Sequence, residues 1–196
     1  MSKLQDLIDS LCPNGVEFKP LGEVCEILDS QRKPVSKGNR IAGQYPYYGA
    51  NGIQDYVNEY LFDGTFILVG EDGSVINADN SPIINWAEGR IWVNNHAHIL
   101  AEINGIKLRY LYYALQLKDV SDIVRGTPPK LNQANLKNIL IPIPPIELQE
   151  KIVAILDRFE ALVNDISKGL PAEIEAQKTR YEYYRNKLLT FKPLPA

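Results

Sequence analysis

The chain is 196 residues long, 45% hydrophobic and 23% charged, enough for a well-filled core plus an appendage and too apolar for a disordered polymer. No run approaches the roughly 20 uninterrupted apolar residues of a membrane-spanning helix. The acids among the first leucines argue against a signal peptide, so the cytosol is the expected compartment. Acidic residues outnumber basic ones, 24 against 21, for a net charge of −3. Neither part of the chain relieves this: residues 1–146 hold 13 Lys and Arg against 16 Asp and Glu, and 147–196 hold 8 of each. A nucleic acid would therefore need a local basic face or cations from a partner, because phosphate neutralisation supplies most non-specific affinity.

Leu4, Leu7, Ile8 and Leu11 fall at helical spacing, which predicts an amphipathic helix over 2–11, ended by Pro13-Asn14-Gly15. From Val16 to about Ile103 short β-like runs alternate with turns. Thr65–Val69, Ser74–Ile76, Arg90–Val93 and Ala97–Leu100 are the predicted strands, with turns at Asp63-Gly64, Asp72-Gly73 and Glu88-Gly89. Cys12 and Cys25, the two cysteines, read as reduced, buried residues. Residues 106–118 are predicted helical through Leu108, Leu111, Tyr112 and Leu115, and a short helix follows at 133–137. Ile139–Pro145 must be extended, since a residue preceding proline is pushed out of the helical region.

At Glu147 the texture changes. Ile152, Ile155, Phe159, Leu162 and Ile166 are spaced 3, 4, 3 and 4, a coiled-coil seam. After Gly169-Leu170-Pro171 the pattern resumes through Ile174, Gln177, Tyr181, Tyr184 and Leu188. Leu170 keeps the stripe in phase, which favours a kinked arm. A hairpin stays open because Pro171 suits the first turn of a new helix. A seam of about six turns calls for a partner helix, with ordinary core packing as the alternative.

The junction Gly126-Thr127-Pro128-Pro129-Lys130-Leu131-Asn132, then Ile141-Pro142-Ile143-Pro144-Pro145-Ile146-Glu147-Leu148-Gln149-Glu150-Lys151-Ile152, resembles the end of a target-recognition domain and the start of the conserved helical region in Type I restriction–modification specificity subunits. Gly169–Glu175, Tyr181–Leu189 and the opening Leu11–Glu17 are similar to other parts of that family. A full-length member has two recognition domains and two helical regions. This sequence has one of each, as either a half-subunit that pairs with its own copy or the first half of a longer chain. The resemblance implies that this chain reads double-stranded DNA and catalyses nothing. Methyltransferase subunits would use S-adenosylmethionine to methylate adenine, and separate ATP-driven motor subunits would cut. No cofactor is expected in this chain itself.

Base edges are read by Arg, Lys, Asn and Gln, while phosphate contacts only position the protein. Three loops concentrate such residues. Gln31–Arg40 offers Lys37 and Arg40, or is simply solvated surface. Gln44–Gln54 interleaves Tyr45 and Tyr47, whose hydroxyls suit phosphates, with Asn51 and Gln54; Tyr48 and Ile53 equally suit the core. Arg125–Lys130 is a cationic turn presenting Arg125, Thr127 and Lys130. Asn94 and Asn95 add amides beside His96 and His98, which alternate on one expected strand face. That pair has no third zinc ligand in view, so no metal is expected and His98 reads as a core or interface residue. Glu71-Asp72 reads as turn chemistry, and no phosphate loop, nucleophile elbow or methyltransferase Asn-Pro-Pro-Tyr motif is present.

These readings combine into an α+β fold: a mixed sheet-and-helix recognition domain, 1–146, followed by a long kinked coiled-coil arm, 147–196, whose interface residues are Ile152, Ile155, Phe159, Leu162, Ile166, Ile174, Tyr181, Tyr184 and Leu188. The arm would form a homodimer and dock methyltransferase subunits, the pair reading a bipartite site. The rivals are a coiled-coil adaptor that binds no nucleic acid, and an inactive truncated half.

Overall fold

The computed structural model describes the backbone of residues 3–166 and 171–193, with side chains from 6 to 163 and 175 to 193. The fold is mixed α+β, and the chain divides into two compact units. One comprises 20–104 and 118–140; the other comprises 1–19, 105–117 and 141–196. The break expected after Ile146 thus lies inside the second unit. Helices α1 (Lys3–Leu11) and α3 (Leu108–Leu115) pack with α5 (Ile146–Ile166), so segments read as recognition domain join the helices instead.

The first unit is built on a six-stranded sheet in the order β2-β7-β5-β6-β3-β4, from β2 (Glu26–Ile27), β3 (Ala42–Gly49), β4 (Gly52–Val57), β5 (Phe62–Gly70), β6 (Ile84–Val93) and β7 (Ala97–Ala101). Every pairing is antiparallel except β3 with β6, where Tyr47 lies opposite Trp92 and Tyr48 opposite Val93. Side chains alternate as the pleat requires. Tyr48, Phe66, Leu68, Ile91, Val93 and Ile99 share one apolar cluster, whereas Tyr47, Val57 and Trp92 form another. Helix α2 (Leu21–Val24) packs on α4 (Gln133–Lys137), whose first turn is capped by Asn132 accepting from the Asn135 amide.

Three local expectations change. Asp63-Gly64 and Glu88-Gly89 are paired strand rather than turns, with Gly64 facing Gly89 across β5 and β6. Ser74–Ile76 is not a strand: Ile76 makes one isolated bridge to Pro82, and Asn77 folds the following loop over by bonding Ser81 and the Pro82 carbonyl. Asp72-Gly73 does turn, with Gly73 at φ +79°.

In the helical unit, Leu108, Leu111, Leu115, Leu148, Ile152 and Leu156 are buried. Gln149 is buried with all its amide groups used: Nε2 donates to the carbonyls of Pro144 (2.9 Å) and Gly105 (3.3 Å), and Oε1 accepts from the Lys107 amide (2.9 Å) that precedes α3. Arg109 on α3 grips α5 through Asp157 (2.8 Å) and Glu160, with the Tyr113 hydroxyl bonded to the same carboxylates. Two further strands, β1 (Glu17–Pro20) and β8 (Leu140–Ile143), form a separate ribbon. Helix α6 (Pro171–Leu189) packs along α5, and Tyr184 stacks on Phe159 with ring centroids 5.2 Å apart. This corrects the kinked arm: the second helix folds back on the first and takes up part of the stripe. Gly169 and Leu170, and the side chains of Leu4, Ile166 and Ile174, lie outside the described residues. No helix among the described residues is long and apolar enough to cross a membrane.

Candidate nucleic-acid interface

Hydrogen bonds draw several predicted loops of the sheet unit together. The turn between β3 and β4 presents Asn51, and β4 presents Gln54, both exposed. Gln54 lies over Gly49, which has no side chain to obstruct it, and its Oε1 accepts from Asn94 Nδ2 at 3.3 Å. The Asn94 amide donates to the Tyr48 carbonyl (3.1 Å), and its Oδ1 accepts from the His96 amide (2.8 Å). The next link is the Glu71 amide donating to the His96 carbonyl (2.8 Å), followed by the Gly73 amide donating to the Pro129 carbonyl (2.9 Å). Asn51, Asn95, Arg125, Thr127 and Lys130 are thus exposed on connected loops, with Gln54 beside them on β4.

The turn from Arg125 to Lys130 closes through reciprocal backbone bonds between those two residues (3.0 and 2.8 Å), with Gly126 at φ +94°, where a side chain would be strained. Arg125 folds back so that Nη1 donates to the carbonyls of Ser121 and Val124. Its exposed guanidinium is therefore held at the surface in one place.

Two predicted contacts are corrected. Tyr47 is 1% exposed, and its hydroxyl is bonded to the Val35 backbone, accepting from the amide (2.9 Å) and donating to the carbonyl (3.2 Å). Asn94 is 3% exposed and holds its own turn, as described. Both have framework roles because polar groups this deeply buried must find partners inside the protein. Arg40 is largely covered: it lies over the Tyr47 ring at 4.1 Å, pairs with Asp55 at 3.2 Å and donates to the Val35 carbonyl. Lys37 is exposed on the same loop, and half-buried Tyr45 sets its ring edge against Tyr60.

Below these loops lies a charged cluster that the sequence did not disclose. His98 is fully buried in β7. Its Nε2 donates to the Leu131 carbonyl (2.8 Å), and Nδ1 is 2.6 Å from Asp29 Oδ2. Asp29 also accepts from the Ile99 amide (3.1 Å) and Gln133 Nε2 (2.8 Å). Glu71 is bracketed by Arg32 at 2.6 Å and Lys130 at 3.1 Å. Burial pushes the Asp29 carboxyl up, but the bond and charge of His98, with Gln133 and Arg32, hold it below its usual value. Glu71 behaves alike: burial raises it, and Arg32, His98 and Lys130 together bring it below the ordinary range.

One ligand atom from each of Asp29, Glu71 and His98 could meet at a metal, all lying within 4.8 Å of one another. The chemistry does not fit a metal well, because both His98 nitrogens are bonded and Arg32 and Lys130 already neutralise Glu71. His96 is no co-ligand. It stands on the turn before β7, exposed and paired with Asp72, so the two histidines do not share a strand face.

The apolar stripe of the helical unit is divided. Ile152 and Leu188 are buried, and Tyr181 and Tyr184 are half-buried. A shallow groove along α5 is lined by Ala154, Ile155, Arg158, Phe159 and Leu162, and Leu162 is 44% exposed. Cys12 and Cys25 are free and buried, and burial with the nearby Asp29 charge pushes the Cys25 thiol up to about 12.

Residues 13–176 match the family described as Type I restriction modification DNA specificity domain. A putative type I restriction enzyme specificity subunit of Haemophilus influenzae is 42% identical over 179 residues, covering 89% of this chain and 46% of that protein. The specificity subunit of the Escherichia coli enzyme EcoprrI is 28% identical over 76% of this chain and 37% of its own length. The chain therefore spans about half or less of these two relatives. The S subunit of a Type I restriction–modification system from M. genitalium shares the fold with a TM-score of 0.64 at 15% identity, covering 78% of this chain and 41% of that one. A chain from a structural study of type I complex assembly and conformational transition gives 0.63 at 19% identity, over 95% and 50%.

Proposed function

This chain belongs to the family of Type I restriction–modification DNA specificity domains, and from that premise we propose that it is a non-catalytic subunit that reads DNA sequence for partner enzymes. The observation that carries the reading is the family match over residues 13–176. The exposed amides and cations of the connected loops support it. Asn51, Gln54 and Asn95 supply paired donors and acceptors for base edges, while Arg125, Thr127 and Lys130 supply contacts to phosphates or guanine. Lys37 and Tyr45 extend the contact set, and Arg40 acts mainly by stiffening its loop.

Two copies pair through the groove on α5, centred on Ile155, Phe159 and Leu162. A two-fold pair of identical readers requires inverted half-sites separated by a fixed spacer. Methyltransferase subunits dock on the helical unit and methylate adenine with S-adenosylmethionine; motor subunits use ATP and cut. All of this takes place in the cytoplasm. The net charge of −3 favours the competing reading of a protein-binding adaptor, and the salt dependence of DNA affinity separates the two. For the chain assembled with its methyltransferase, log K plotted against log salt falls with a slope of roughly −0.9 per neutralised phosphate. A flat plot would leave the adaptor.

A further inference from the structure

We infer that the buried cluster of Asp29, His98, Glu71 and Arg32 positions two cationic loops against each other, and so determines sequence preference without touching DNA. The inference rests on the DNA-reading proposal above. The cluster has two ends. On one side Arg32 opens the Gln31–Arg40 loop. Its Nε donates to the Asp29 carbonyl (3.0 Å), and its Nη1 reaches both Glu71 (2.6 Å) and the Ala97 carbonyl (2.8 Å). On the other side the Arg125–Lys130 turn runs directly into three anchors. Lys130 pairs with Glu71, the Leu131 amide donates to the Glu71 carbonyl (2.8 Å) while its carbonyl accepts from His98, and Gln133 bonds Asp29.

Loops about a hundred residues apart in sequence therefore share the same two carboxylates. Asp29, Glu71, Arg32 and His98 side chains are between 0% and 13% exposed, too deep to contact a base edge. A buried ionic network contributes little net stability compared with apolar packing of the same volume. It does impose geometry, because each member has one arrangement that satisfies every partner. Reading a base edge needs side chains held within a fraction of an ångström, and hydrogen bonds weaken steeply once misaligned. Phosphate contacts are more tolerant. Loosening the cluster should therefore remove discrimination before it removes non-specific affinity.

The test uses the chain assembled with its methyltransferase partner. Binding is measured to a duplex carrying the motif mapped for the wild type, and to a scrambled duplex of equal length and composition. H98Q retains a polar side chain but cannot hold both Asp29 and the Leu131 carbonyl. Its cognate-to-scrambled affinity ratio should fall about tenfold or more, the loss expected when one base-edge contact is misaligned, while affinity for the scrambled duplex and its salt slope stay unchanged. Q133A removes a single part-buried bond to Asp29 and should shift the ratio in the same direction by several-fold; it decides the matter alone if H98Q does not fold. A folded variant whose ratio stays within about twofold of wild type overturns the inference. So does an equal loss on both duplexes with a shallower salt slope, which would mean that the cluster merely supports a phosphate-binding surface. A wild-type ratio near one overturns the DNA-reading proposal, and this inference with it.

Discussion

Replacing Tyr47 with Phe removes one hydroxyl and separates a framework role from a DNA-contacting one. That hydroxyl satisfies both the amide and the carbonyl of Val35, at 2.9 and 3.2 Å, and is the residue's polar link to the Gln31–Arg40 loop. The ring itself is retained, with its stack on Trp92 at 6.5 Å and the Arg40 guanidinium above it. Y47F thus leaves apolar packing unchanged and orphans two backbone groups of a half-buried residue. A fully buried orphan costs about 1–3 kcal/mol. Partial access of water to Val35 brings the expected loss to about 1–2 kcal/mol for the pair, or roughly 2–8 °C in Tm for a protein of this size. Urea unfolding followed by tryptophan fluorescence reports directly, because Trp92 lies beside the altered hydroxyl and its Nε1 donates to the Lys33 carbonyl of the same loop. The salt slope of DNA binding should not change, since no phosphate contact is lost. A variant as stable as wild type whose salt slope falls by about one unit would refute the framework role and return Tyr47 to the DNA surface.

Three further outcomes are expected. K37A should weaken binding to cognate and scrambled DNA alike and lower the salt slope by about 0.9, measured by titration at several salt concentrations; an unchanged slope would remove Lys37 from the phosphate contacts. L162E places a charge on a residue that is 44% exposed, so it should convert the proposed dimer to monomer in light scattering while altering monomer stability by no more than about 0.5 kcal/mol; a persisting dimer would put the interface elsewhere. The carboxyls of Asp29 and Glu71 lie below their ordinary values in the folded state. Their contribution to stability is complete above the unfolded values of about 3.9 and 4.3 and is lost as pH falls through the lower folded ones. Urea midpoints should therefore fall as pH drops below about 4, with less of a fall in E71Q; an identical acid fall in E71Q would remove Glu71 from the linkage.

Local signals in the sequence were reliable where one element decided the outcome. The helices at 3–11 and 108–115 follow from apolar spacing, the short one at 133–137 is capped by Asn132, and the strands at 65–69, 90–93 and 97–100 follow from β-branched and aromatic runs. The Glu147-Leu148-Gln149 motif has a physical reason in the buried Gln149 amide, which joins the start of α5 to the start of α3. Signals failed where two distant segments decided. A seam spaced 3 and 4 looks the same whether its partner is another chain or the next helix, and the Phe159–Tyr184 stack makes α6 that partner in part. Gly64 and Gly89 looked like turns because each follows an acid, yet they face each other in paired strands. The buried cluster was illegible for the same reason. Asp29, Glu71 and His98 are separated by tens of residues, and Glu71 beside Asp72 has the appearance of turn chemistry. The one available cue was His98 itself, an ionisable residue in an otherwise apolar strand, which requires buried partners.

The claim that this chain reads DNA for a methylating partner is tested most directly by mapping adenine methylation across the host genome with the gene intact and deleted, the companion methyltransferase being expressed in both. One bipartite motif should lose methylation on deletion, its two halves being inverted copies across a fixed spacer. A map unchanged by deletion would contradict the DNA-reading role, and a lost motif with unrelated halves would contradict the pairing of two identical copies.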